Sequence, residues 1–194
     1  LHIATLGFDH PRVAIGYNNI GDIYFLKSEL DRAIHYYEKP LEIDLVSLGS
    51  EHPETATRYN NLGVAYLQKG DLDLAIDYFE KALTINVTQF GTNHSHVSSG
   101  YNNLGGVYDK KGNKDMAIEY YNKALSIDLK VLGPNHPQVV NRYNNLGGSY
   151  FNKKEFDKAI GYFEKALEIS LNNLGPEHTD VAAGYNNLAV VHDS

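Results

Sequence analysis

The chain has 194 residues, a formal net charge of −7 and no cysteine. A net acidic chain with both charge signs scattered along it attracts neither nucleic acid nor an anionic membrane surface. The missing cysteines exclude disulfides, thiolate metal sites and a cysteine nucleophile, and no apolar run approaches the ~20 residues that cross a bilayer.

The chain starts at Leu1 with no basic-then-apolar leader, so it reads as a piece of a longer protein with a cytoplasmic location. Residues 1–7 are expected to be the tail of a second helix from an earlier unit. A first hairpin follows over 11–49, with Pro11 at a helix start, where the missing N–H is no loss. Its first helix carries Tyr17-Asn18-Asn19-Ile20-Gly21. Its second carries Pro40 in the middle, and an interior proline costs ~3 kcal/mol. A kink or local break is therefore expected near Tyr36–Pro40, unless stacking tolerates the proline.

Forty-two residues on, the motif returns as Tyr59-Asn60-Asn61-Leu62-Gly63 in a second hairpin over 53–91. Tyr59, Leu62, Gly63 and Tyr66 fall at i, i+3, i+4 and i+7, a helical stripe. Lys69-Gly70-Asp71 reads as a break and an N-cap, and Ala75, Phe79, Ala82 and Leu83 form the second stripe. Small residues such as Gly63 and Ala75 allow close approach of two helix axes. The third hairpin, 95–133, carries Tyr101-Asn102-Asn103-Leu104-Gly105, and the fourth, 137–175, carries Tyr143-Asn144-Asn145-Leu146-Gly147. Their glycine pairs, Gly105-Gly106 and Gly147-Gly148, read as tight packing positions. A lone first helix, 179–194, closes the chain with Tyr185-Asn186-Asn187-Leu188-Ala189. One hairpin cannot bury both of its apolar faces, so each must lean on its neighbours.

These residues carry a resemblance. Tyr59, Leu62, Gly63, Tyr66, Ala75, Phe79 and Ala82 have the tetratricopeptide spacing, although that repeat is ordinarily ~34 residues. The longer unit, with Leu132-Gly133-Pro134-Asn135-His136-Pro137 and Leu174-Gly175-Pro176-Glu177-His178 as connections, resembles the kinesin-light-chain type. The resemblance implies an all-α fold, a right-handed α-solenoid of stacked antiparallel hairpins, formed by 1–194 as one array.

Catalytic signatures are not found. Neither a phosphate-binding Gly-x-x-x-x-Gly-Lys-Ser/Thr nor a Gly-x-Ser-x-Gly stands in the chain. Carboxylates occupy repeated slots such as Asp73, Asp115 and Asp157, whereas a general acid and base would stand at one special place. Nine histidines raise a metal reading, but His10, His52, His94, His136 and His178 share one slot. Neighbours in that column would lie ~10 Å apart, too far to share a metal at ~2 Å. They read as caps. The expectation is no enzyme, no cofactor and no metal. Asn86-Val87-Thr88 and Asn93-His94-Ser95 fit the glycosylation pattern, which chance also produces.

Asn is a mediocre helix former, yet two stand mid-helix in every unit. The second of each pair (Asn19, Asn61, Asn103, Asn145, Asn187) is expected to bond neighbouring backbone. The first shares a face with the rows Ile15, Thr57, Ser99, Asn141, Ala183 and Asp22, Val64, Gly106, Gly148, Val190. In the family resembled, that face lines a concave groove. The column Asn18, Asn60, Asn102, Asn144 and Asn186 would then be a ladder of amides suited to a peptide backbone. Phe25, Leu67 and Phe151 would supply apolar pockets. The expected function is a scaffold binding a partner peptide in that groove. The alternative is a structural solenoid that self-associates end to end through uncapped terminal repeats.

Overall fold

A computed structural model of the chain describes residues 11–194; the expected helix tail at 1–7 and His10 lie outside them. The described residues form nine α-helices and no strand. In order they are α1 (Pro11–Leu26), α2 (Leu30–Ser47), α3 (Pro53–Lys69), α4 (Leu72–Phe90), α5 (Ser95–Lys110), α6 (Lys114–Val131), α7 (Pro137–Asn152), α8 (Phe156–Leu174) and α9 (Thr179–His192). The chain divides into two compact units, one ending at Gly91 and one running Thr92–Ser194. In the first, α1 packs on α2, α2 on α3 and α3 on α4. In the second, each helix from α5 to α8 packs on the one that follows it.

Each hairpin is held by one glycine against one ring. Phe79 of α4 is 1% exposed and lies over Gly63 of α3; burying such a ring contributes ~1.5–3 kcal/mol. A Cβ on Gly63 would sit 2.7 Å from the Phe79 ring, and Gly21, Gly105 and Gly147 meet Tyr37, Tyr121 and Phe163 in the same way. The second glycine of each pair is looser than expected, since a Cβ on Gly148 meets nothing within 4 Å. Adjacent substitutions should therefore have opposite signs. Gly147→Ala forces Phe163 aside at about 1–3 kcal/mol, while Gly148→Ala gains about 0.5–1 kcal/mol of helix stability. Urea midpoints of the two variants check this.

The ring slot alternates Tyr37, Phe79, Tyr121, Phe163. Burial, with the negative charge of Asp109 adding and Arg142 opposing, pushes the Tyr121 phenol from 10.0 up to about 12. The unfolded phenol therefore loses its proton first. Stability from this group is complete below pH 10.0 and is lost as pH rises towards about 12. Tyr121→Phe, which copies Phe79, should fold normally and show a shallower alkaline loss in urea midpoints taken across that window.

The column of histidines caps the first helices. Nδ1 of His52, His94, His136 and His178 accepts the backbone N–H of Glu54, His96, Gln138 and Asp180 at 3.1–3.2 Å. This satisfies a helix-start donor that has no intrahelical partner. At the hairpin turn, Gly70 (φ 95°) and Gly112 (φ 86°) take the left-handed conformation, and Ser28 (φ 58°) and Lys154 (φ 62°) adopt it in the same slot despite their side chains.

The expected break at Pro40 does not occur. Helix α2 runs unbroken from Leu30 to Ser47 through it. Pro40 is fully buried in the slot that alanine fills elsewhere, and Tyr36, one turn back, stacks on Tyr24 at 5.3 Å. Packing on both sides of the missing hydrogen bond keeps the helix continuous.

Candidate functional site

The asparagine pairs sit mid-helix on α1, α3, α5, α7 and α9, and within each unit helix stacking joins one pair to the next. Asn61 Nδ2 of α3 donates to Asn18 Oδ1 of α1 at 2.9 Å. Asn145 Nδ2 of α7 donates to Asn102 Oδ1 of α5 at 2.8 Å. Asn61 and Asn145 are thus structural, but their partner is the first asparagine one repeat earlier, not backbone as expected. Stacking of the first helices places the amide oxygen of the preceding repeat within reach.

This bond holds two members of the first column. With Oδ1 engaged by the next repeat, the amide plane of Asn18 and Asn102 is set and the NH2 group is aimed. Asn18 Nδ2 reaches Asp22 Oδ2 at 3.1 Å, and Tyr37 Oη donates to the other oxygen, Asp22 Oδ1, at 2.7 Å. Burial, reinforced by this hydrogen bond and the Asp22 charge, raises the Tyr37 pKa beyond the ordinary phenol range. Later units have Gly106 and Gly148 in the Asp22 slot, which offer no such acceptor. Asn60, Asn102 and Asn144 are half-buried and Asn186 is exposed.

The apolar positions are less open than the sequence suggests. Phe25 is half-buried against the cluster of Ala33, Ile34, Tyr37 and Leu41. Phe151 packs on Phe156 with ring centroids 5.8 Å apart, and Leu67 is half-buried. Asp109 fills the same slot in α5, where Lys114 Nζ pairs with it at 3.1 Å and Ser149 Oγ donates to it at 3.0 Å.

Two features escaped the sequence reading. Arg58 Nε binds Asp44 Oδ2 at 2.8 Å, and Arg142 Nε binds Asp128 Oδ2 at 2.9 Å, all four residues being buried. Their common spacing of fourteen residues was the available signal. The second is a tyrosine stack on every hairpin. Tyr66–Tyr78, Tyr108–Tyr120 and Tyr150–Tyr162 stack at 5.4 Å. Lys81, Lys123 and Lys165 lie 5.1–5.5 Å over the second ring of each stack. Lysine three residues after a tyrosine in α4, α6 and α8 was the sign of it. Such a cation over a partly exposed ring contributes ~0.5–1 kcal/mol, which makes the stack a packing element.

Among the described residues no group of three or more His, Asp or Glu could hold a metal, and no helix is long and apolar enough to cross a membrane.

The comparisons agree with this geometry. The family model described as tetratricopeptide repeat matches residues 5–86, 96–169 and 143–194. Among solved structures, the chain is similar to BtubC (BKLC) from P. vanneervenii, with a TM-score of 0.83 at 24% identity, covering 94% of this chain and 73% of that one. It is similar to a Podosopora anserina putative kinesin light chain with nearly identical TPR-like repeats, with a TM-score of 0.82 at 22% identity, covering 95% and 87%. The apo form of RapI matches with a TM-score of 0.78 at 20% identity, covering 93% and 63%. At these identities the likeness establishes the fold: an all-α, TPR-like solenoid whose neighbours include kinesin-light-chain-like repeats. Comparison with curated proteins found no match.

Proposed function

The chain belongs to the tetratricopeptide repeat family, and from that premise we propose that it is a non-catalytic scaffold whose first-helix face binds an extended segment of a partner protein. Repeats of this family serve protein interaction in general; the finer reading rests on the first asparagine column. Asn102 is held through its oxygen by Asn145, so its NH2 donor is pre-positioned without a partner present. A pre-positioned donor recognises a peptide carbonyl at low ordering cost. The exposed or half-buried neighbours Thr57, Ser99, Asn141 and Ala183 differ from unit to unit, and variation beside a constant amide is what selectivity requires.

The test separates binding from stacking. Asn60→Ala with Asn102→Ala alters the first column; Asn61→Ala with Asn145→Ala removes the donors of the ladder. Both should remain helical by circular dichroism. Partners captured by the parent should be lost from the first variant and weakened to a lesser degree on the second, which keeps the Asn102 donor but removes the bond that holds it. Equal capture by all three would refute the reading.

A second reading has one observation in its favour. Tyr185 of α9 is 53% exposed, whereas Tyr143 in the same slot lies 6.1 Å from Tyr162. Copies of the chain could cover it end to end. Sedimentation across a wide concentration range, with Tyr185→Glu beside the parent, decides this; a parent that stays monomeric rules it out.

A further inference from the structure

The buried arginine of the first unit shows how an empty place in the second is meant to be filled. Arg58 stands on α3 with three acceptors round its guanidinium, one from each of three helices. They are Asp44 Oδ2 of α2 at 2.8 Å, Asn18 Oδ1 of α1 at 3.2 Å and Glu54 Oε2 of α3 at 3.4 Å. Three repeats later the same slots hold Ser170 on α8, Asn144 on α7 and Asp180 on α9, while the arginine slot itself is Gly184. The amide and one carboxylate are kept, the other carboxylate becomes a hydroxyl, and the cation is absent.

Deleting it leaves a cavity of about 250 Å³ among α7, α8 and α9, lined by Asn144, Ser170, Asp180 and Gly184 together with Asn141 and Ala183. Asn144 Oδ1 is buried there with no hydrogen-bond partner, although its counterpart Asn18 Oδ1 accepts from both Arg58 and Asn61. An orphaned acceptor in a polar cavity calls for a donor. A guanidinium carries five N–H donors in a planar fork and no acceptor, so it can serve acceptors on several helices at once. An ammonium lacks that planar reach.

We propose that this cavity is a receptor for an arginine side chain of the bound partner, seated as Arg58 is seated in the first unit. The proposal deepens the groove reading and rests on it, since Asn141, Asn144 and Ala183 belong to the face assigned there to the partner. Asp180 supplies the counter-charge and Asn144 Oδ1 the buried hydrogen bond. Ser170 takes the place of Asp44 with a neutral hydroxyl, so the site binds without the full charge of the internal pair.

The test uses N-acetyl-arginine amide and N-acetyl-lysine amide as probes on the intact chain, by titration calorimetry and by side-chain amide NMR of Asn144. The arginine probe should bind saturably, at least tenfold tighter than the lysine probe, and shift the Asn144 signal. Gly184→Arg should abolish binding by filling the site from within. Its Cβ meets the buried Leu167, with Cδ1 at 3.0 Å, Cβ at 3.4 Å and the backbone Cα at 3.7 Å, and Leu41 already fills that slot in the repeat whose arginine is present. If that variant does not fold, Ser170→Asp gives an independent reading, because restoring the Asp44 carboxylate should tighten arginine binding about tenfold. No saturable binding, equal binding of both probes, or indifference to Ser170→Asp overturns the proposal. The probes read the cavity alone, whereas Asn60 and Asn102 read the groove, so either can fail without the other.

Discussion

Asp44→Ala is expected to destabilise the first unit by about 3–5 kcal/mol, because removing one partner of a buried ion pair strands the other charge. Arg58 would keep only Asn18 and the half-exposed Glu54 carboxylate, 3.2 and 3.4 Å away. Arg58→Ala should cost as much by stranding Asp44, which is 2% exposed. Removing both is a different matter. Asp44→Leu with Arg58→Met should be close to neutral, since well-packed apolar residues often replace a buried pair without loss. Ser170 and Gly184 occupy the same two slots and show that the fold accepts an interface without the pair. Repeat arrays need not unfold in one step, so the readout is native-state hydrogen exchange of the α2 and α3 amides. A double variant as weak as either single one would mean that the pair itself supplies net stability.

Phe79→Ala should cost about 3–5 kcal/mol, the transfer term of a buried ring plus the cavity left behind. The cavity cannot close easily, because Gly63 opposite has no side chain to move into it. Phe79→Leu, retaining most of the volume, should recover more than half of the loss. Combining Gly63→Ala with Phe79→Ala should cost less than the two added, since each relieves the misfit of the other. Additive losses would show that the ring and the glycine do not form a packing pair.

What could be read in advance follows from what periodicity can encode. The 42-residue step, the stripe through Tyr59, Leu62, Gly63 and Tyr66, and the histidine before each first helix are local signals, and the helices, the glycine–ring contact and the caps follow from them. The partner of Asn61 could not be read this way. It lies 43 residues back on a stacked helix, and that contact depends on the rise of one helix against another, which sequence spacing leaves open. Arg58 and Asp44 were hidden for the same reason: scattered charges look solvated until stacking buries two of them. Pro40 was legible only in part: the local cost of a missing hydrogen bond is visible in sequence, and the packing around Pro40 in an unbroken helix is not. The first asparagine column was legible as a column, and the engagement of Asn18 and Asn102 through their oxygens was not.

The central claim is that the first-helix face carrying the asparagine column receives the partner. The most direct measurement places a photo-crosslinking benzophenone at Thr57 or Ala183, both exposed beside the column, and at Asn122 or Glu164, exposed on second helices. With captured partner present, irradiation should give adducts from positions 57 and 183 and none from 122 and 164. Adducts from the second helices alone would place the partner on the other side of the hairpins and contradict the account.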